Sequence, residues 1–103
     1  MMDKRNFYIN GRWVTPSRPN DFNVINPSNE ETCAIISLGS EDDTNAAVMS
    51  AKKAFKSWSE VSKEKKVKLI EKLYEIYKKR SNEMAESISI EMGAPIDWST
   101  NAQ

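Results

Sequence analysis

The sequence contains no histidine, one cysteine (Cys33) and only three glycines in 103 residues. Without histidine the side chain most often used as a general base near neutral pH is missing, and a lone thiol excludes an internal disulfide. Gly11, Gly39 and Gly93 stand far apart, which excludes a G-x-G-x-x-G or Walker loop, because laying consecutive backbone amides against phosphate requires clustered glycines. Nucleotide binding by this segment alone is therefore not expected. Excess charge is absent too: fifteen basic and fifteen acidic residues cancel, so the long-range attraction that draws nucleic acid or an anionic membrane onto a basic surface is missing. No apolar run approaches the roughly 20 residues of a membrane span; Ala34-Ile35-Ile36 is typical of what there is. The start, Met1-Met2-Asp3-Lys4-Arg5-Asn6, leads into no secretory core. No membrane and no nucleic-acid partner are expected, and the cytoplasm is the default compartment.

What is present is an ordered series of local signals. Phe7-Tyr8-Ile9, Asn10-Gly11 and Trp13-Val14 read as a β-hairpin, since Asn-Gly supplies two residues tolerant of positive φ. Thr15 to Asn20 gathers turn formers and two prolines into a loop. Phe22 to Ile25 is extended and closed by Pro27, Asn29-Glu30-Glu31 turns the chain, and Thr32 to Ile36 is a short strand. After Gly39, Ser40 with Asp43 three residues on reads as a capping box that starts a helix at Ser40 or Glu41. Ala47, Val48, Ala51, Ala54, Phe55 and Trp58 line one face of it, and Lys52, Lys53 and Lys56 another.

A second helix runs from a Ser62 cap to about Arg80 with Val67, Ile70, Leu73, Tyr74 and Tyr77 as its stripe, widened by Leu69 and Ile76. Lys78, Lys79 and Arg80 suit the negative end of its dipole. A third helix begins at Asn82 with Met84, Ala85, Ile88 and Met92 inward, and stops at Gly93 before Pro95. Asp97 or Ser99 caps a fourth, cut off by the chain end at Gln103. The expectation is an α+β chain: a hairpin and extended part over residues 1–39 and a helical part over residues 40–103. A length of 103 residues and 39% apolar content allow one small domain with a lean core.

In this order the strings Tyr8-Ile9-Asn10-Gly11-Arg12-Trp13-Val14, Val24-Ile25-Asn26-Pro27-Ser28-Asn29-Glu30-Glu31, Leu38-Gly39-Ser40-Glu41-Asp42, Ala46-Ala47-Val48 and Ala51 to Trp58 resemble the N-terminal part of an NAD(P)-dependent aldehyde dehydrogenase. Glu91-Met92-Gly93-Ala94-Pro95 is similar to the segment closing the family's third helix, where glycine-lysine-proline is typical and Gly93-Ala94-Pro95 has alanine in the lysine's place. The resemblance covers Phe7 to about Pro95. It implies that the chain is the N-terminal portion of a Rossmann-type coenzyme domain in a much longer α/β enzyme that uses NAD or NADP and is a homo-oligomer when complete. In that family a cysteine thiolate attacks the aldehyde, hydride passes to the coenzyme and a glutamate activates water to release the acid. Those groups belong to motifs beyond the matched stretch, so no catalytic or coenzyme-binding residue is assigned here. The catalytic domain is expected to be absent.

Each tempting side chain also has a plainer reading. Cys33 lies in Thr32-Cys33-Ala34-Ile35, unlike the family's nucleophile segment, and reads as a packed structural thiol. Glu41, Asp42 and Asp43 read as helix capping in preference to a metal cluster. Trp13, Trp58, Trp98, Tyr74 and Tyr77 read as core in preference to base-stacking groups. The resemblance implies one site: a monovalent cation held at the turn of Val24 and Ile25 and at Glu91, with a further ligand from beyond residue 103. The plainer reading of Glu91 is a surface acid or local ion-pair partner.

The expectation for the complete protein is NAD(P)-dependent oxidation of an aldehyde to a carboxylic acid. This chain would be structural, packing against the remainder of the polypeptide through the faces around Phe55, Trp58, Leu73 and Ile88. The rivals are a freestanding helical interaction module and a nucleic-acid binder built on Lys63, Lys65, Lys66 and Lys68.

Overall fold

A computed structural model describes residues 1–101. Five strands, β1 (Met2–Lys4), β2 (Phe7–Ile9), β3 (Arg12–Val14), β4 (Asp21–Ile25) and β5 (Thr32–Ser37), precede four helices, α1 (Glu41–Ser59), α2 (Lys63–Lys79), α3 (Ser81–Met92) and α4 (Ile96–Asn101). They divide into two compact units, Met1–Val24 with Thr32–Glu60, and Ile25–Glu31 with the chain from Val61 onward.

In the first unit the hairpin forms as its sequence demands. Asn10 and Gly11 both take positive φ, 55° and 76°, and the two-residue turn sets the register Phe7↔Val14, Tyr8↔Trp13, Ile9↔Arg12. Alternation then sorts the side chains: Phe7, Ile9 and Val14 are half-buried while Tyr8 and Trp13 are exposed, their rings meeting edge-on at 5.3 Å. A second sheet has the order β1-β5-β4. Its first strand has no counterpart in the sequence-based expectation. Met2–Lys4 pairs in parallel with β5, Met2 opposite Ala34 and Lys4 opposite Ile36, and three exposed residues with two charges carry no periodicity to announce a strand. The β1 end is fastened by Arg5, whose guanidinium donates to both carboxylate oxygens of Asp3 (3.0 and 2.7 Å) and to Asp21 Oδ2 (3.1 Å), linking the segments that flank β5.

The α1 capping box is present, with Asp43 in the role more often taken by glutamate: Asp43 N–H donates to Ser40 Oγ, and Ser40 N–H donates to Asp43 Oδ2. No residue of α1 is buried. In the second unit, Asn26 organises the turn between the strands. Its carbonyl accepts from Glu30 N–H (2.8 Å), its N–H donates to Glu31 O (2.9 Å) and its side chain accepts from Ser28 N–H (2.9 Å). Glu30 takes a left-handed φ of 59°, so the turn begins at Pro27, ahead of the expected position. Ser62 caps α2 as expected. α3 starts at Ser81, one residue early, and ends at Gly93 with φ 72°, whose N–H donates to Ser89 O.

Three expectations about packing are overturned. Met84 and Met92 are exposed; of the α3 residues expected inward, Ala85 is buried and Ile88 half-buried, and α4 packs against α3. Neither Asp97 nor Ser99 caps α4. The helix starts at Ile96, directly after Pro95, so Asp97 falls in its first turn and Ser99 inside it, buried. The aromatic residues read as core, Trp13, Trp58, Trp98, Tyr74 and Tyr77, are exposed. Among the described residues the buried apolar side chains are only Ala34 and Ala85. The expected end of the fourth helix at residues 102–103 lies outside the described residues.

Candidate functional site

Cys33 sits half-buried in β5, and its thiol donates to the carbonyl of Val24 at 3.4 Å. The acidic first turn of α1 likewise resolves into local bonding. Asp43 accepts backbone N–H bonds from Ser40 and Ser17 (2.9 and 2.8 Å), and these hold its carboxyl down at about 2. Ser17 Oγ and Ser40 Oγ lie 2.7 Å apart, and Arg18 approaches Asp42 at 3.5 Å. The loop before β4 is therefore tied to the start of α1. Sequence reasoning found the cap but not its loop partners, which lie more than twenty residues away with no local signal. Among the described residues, no group of three or more His, Cys, Asp or Glu side chains converges on a point.

Two of the basic residues at the end of α2, Lys78 and Arg80, are also locally engaged. Lys78 pairs with Glu75 at 2.8 Å and lies over the Tyr74 ring, while Arg80 forks onto Glu83 and holds that carboxyl below its ordinary range. Lys63, Lys65, Lys66 and Lys68 are spaced so that, at about 100° per residue, they point to different sides of α2 and form no single basic face. An open groove of about 760 Å³ runs beside the hairpin in the first unit, lined by Arg5, Trp13, Pro16, Pro19, Asp21 and Ser37 among others. The Arg5 guanidinium there is already occupied by its two aspartates.

Of the residues expected at a cation, Val24 and Ile25 close β4. Glu91 is exposed on the last turn of α3 and forms no ion pair among the described residues, so of the two plainer readings the position is that of a surface acid. Within the second unit the 26–28 turn lies against the α3 terminus: a Cβ on Gly93 would stand 2.9 Å from Pro27 Cγ. Ile25 and Glu91 each lie two residues from that contact.

Among the described residues the five strands and four helices form a mixed α/β arrangement. The model of the aldehyde dehydrogenase family matches residues 13–102, and the chain belongs to that family. Over 93% of its length it is 41% identical to a 3-succinoylsemialdehyde-pyridine dehydrogenase from a Pseudomonas species, covering 20% of that relative. Among solved structures, an aldehyde dehydrogenase from Bartonella henselae matches 99% of the chain with 55% identity and a TM-score of 0.98, over 21% of its own length. A variant of aldehyde dehydrogenase C from Pseudomonas syringae, complexed with NAD+ and octanal, matches 94% of the chain with 38% identity and a TM-score of 0.93. The chain thus spans about a fifth of the length of the relatives it matches and corresponds to their N-terminal part. No helix among the described residues is long and apolar enough to cross a membrane.

Proposed function

We propose that the complete protein oxidises an aldehyde to a carboxylic acid with NAD or NADP, and that this chain is its non-catalytic N-terminal part on the coenzyme-domain side. The observation that carries the reading is the 0.93 TM-score, at 38% identity, to a neighbour that holds NAD+ and octanal. The chain's own residues agree with a supporting role. Among the described residues, α1 and α2 carry large apolar side chains that are exposed. Bound NAD(P) would accept the hydride removed from the substrate. What these residues supply is shape: a sheet fastened by Arg5, a capped helix tied to its loop, and apolar faces for the rest of the polypeptide to cover. The complete protein is a cytoplasmic homo-oligomer in this reading.

We further propose, from the family resemblance, that the Val24 and Ile25 carbonyls and the Glu91 carboxylate would each offer oxygen to a hard monovalent cation, with a further ligand from beyond residue 103. The contact of Pro27 with Gly93, between Ile25 and Glu91 in the second unit, supports that assignment. Replacing sodium chloride by choline chloride is expected to lower the melting temperature of the parent protein and to leave Glu91→Gln unchanged; equal responses overturn the cation site.

The central test measures coenzyme reduction by the complete protein and by residues 1–103 alone, with both coenzymes and a set of aldehydes. Turnover by the complete protein and neither turnover nor calorimetric dinucleotide binding by the short chain is expected. Activity or tight dinucleotide binding in the short chain refutes the supporting role.

A further inference from the structure

Of the asparagines in the chain, Asn10 alone is followed by glycine. The pair forms the tip of the β2-β3 hairpin, where both residues are exposed and take positive φ, 55° and 76°. Neither the Asn10 side-chain amide nor the Gly11 N–H has a hydrogen-bond partner among the described residues, and the space around the Gly11 α-carbon is open, with nothing within 4 Å of an added Cβ. A nucleophile and its electrophile are thus neighbours in the chain, with no hydrogen bond committing either. At every other asparagine the following residue carries a side chain that crowds its own amide nitrogen or, at Pro27, offers no N–H at all. What the folded turn resists is the main-chain rotation that brings the Gly11 nitrogen onto the Asn10 side chain. That resistance is small, because the hairpin is a two-stranded sheet of three-residue strands, and such ribbons open locally at little cost.

We propose that Asn10 is a site of spontaneous covalent modification, converted through a cyclic imide with Gly11 into a mixture of aspartate and isoaspartate, with water as the only co-reactant. The Gly11 nitrogen loses its proton and bonds to Asn10 Cγ; the Cγ–Nδ2 bond breaks, and Nδ2 leaves as ammonia, carrying a proton away. Hydrolysis of the imide at Cγ restores the ordinary main chain with a carboxylate side chain. Hydrolysis at the Asn10 main-chain carbonyl carbon instead routes the chain through Cβ and Cγ, leaving isoaspartate. Nothing is oxidised or reduced. The isoaspartyl form adds a methylene to the main chain inside a turn whose two-residue length sets the register Phe7↔Val14, Tyr8↔Trp13 and Ile9↔Arg12, so it undoes the edge-on meeting of the Tyr8 and Trp13 rings. No step uses an aldehyde or a coenzyme, so the proposal stands apart from the proposed function.

In the test the complete protein is aged in mildly alkaline buffer, digested with trypsin beside an unaged sample, and read by mass spectrometry with fragmentation. Cleavage after Arg5 and Arg12 releases Asn6–Arg12, a peptide that holds Asn10 together with Asn6, whose neighbour Phe7 makes it an internal control. Conversion to the acid is expected at Asn10 several-fold faster than at Asn6 or any other asparagine, together with methyl transfer onto that peptide by an isoaspartyl methyltransferase. Asn10→Gln, whose longer side chain closes the corresponding ring far more slowly, is expected to abolish both signals. Conversion at Asn10 no faster than at Asn6 overturns the proposal. Conversion confined to urea-unfolded protein overturns it as well, since the folded hairpin, or the polypeptide around it, then shields the pair. Methyl transfer that persists in Asn10→Gln also overturns it, by placing the isoaspartate elsewhere.

Discussion

Gly93→Ala isolates one contact on which the second unit depends. Gly93 ends α3 at φ 72°, a left-handed conformation that costs an L-residue roughly 1–2 kcal/mol. An added Cβ also meets Pro27 Cγ at 2.9 Å, with Pro27 Cβ and Ser28 Oγ at 3.6 Å. The proline ring has no rotamer into which it can swing, so the backbone must shift, and overpacking of that kind costs about 1–3 kcal/mol. Alanine's smaller unfolded-state entropy returns about 0.4–1 kcal/mol, leaving a net loss of about 1–4.5 kcal/mol, centred on about 3 kcal/mol. Gly11→Ala is the control, because Gly11 has nearly the same φ, 76°, but nothing within 4 Å of its added Cβ; its cost is about 1 kcal/mol. Urea denaturation followed by helical ellipticity, with Pro27→Ala tested in both backgrounds, separates the terms. Pro27→Ala is expected to restore at least about 1 kcal/mol to Gly93→Ala and nothing to Gly11→Ala. If the two glycine variants are equally destabilised, or the proline change rescues neither, the turn does not press on the α3 terminus as described.

The tether between the 15–20 loop and α1 is expected to be pH-dependent. Because the Asp43 carboxyl is lowered from 3.8 to about 2 in the folded chain, its contribution is complete above about pH 4 and is lost as pH falls through 2. The Ser17 amide resonance should move across that window, and in Asp43→Asn it should not. Glu30→Gly relieves a left-handed φ of 59° and is expected to raise stability by about 0.5 kcal/mol, after glycine's own entropic cost is set against the relief; a fall in the urea midpoint would contradict this. The isolated chain, with Ala34 and Ala85 as its buried apolar residues among those described, is expected to associate with rising concentration in sedimentation velocity. A compact monomer with one sharp unfolding transition would show that it has a core of its own.

Elements specified by near neighbours in sequence were legible. Asn10-Gly11 dictates its turn through the φ values it tolerates, Ser40 and Asp43 cap α1 across three residues, and Gly93 with Pro95 stops α3. The family was legible for the same reason, because its markers are local strings in a fixed order. What the sequence did not disclose depends on distant partners. β1 exists because Ala34 to Ile36 lies ready to receive it and Arg5 reaches Asp21, and nothing in Met2-Asp3-Lys4 carries that information. The same holds for Ser17 on Asp43, twenty-six residues away.

The misreadings of burial have a different origin. A periodic stripe states that a face is apolar, not that its partner lies in the same stretch of chain. Trp58 and Tyr77 read as core on periodicity, yet each is more than two-fifths exposed, as are Phe55 and Leu73, whose faces read as a packing surface for the remainder of the polypeptide; the buried α3 position is Ala85, the smallest apolar residue of its stripe. Small residues are buried where the chain meets itself, and the large ones point outward. Since a buried Leu or Phe contributes about 1.5–3 kcal/mol against about 0.8 kcal/mol per CH₂ for smaller groups, most of the hydrophobic stabilisation encoded here is realised only when the outward faces are covered. In the proposed reading the stability of this segment is a property of the assembled polypeptide, and substitutions on the outer faces of α1 and α2 are expected to act on assembly far more than on the helices themselves.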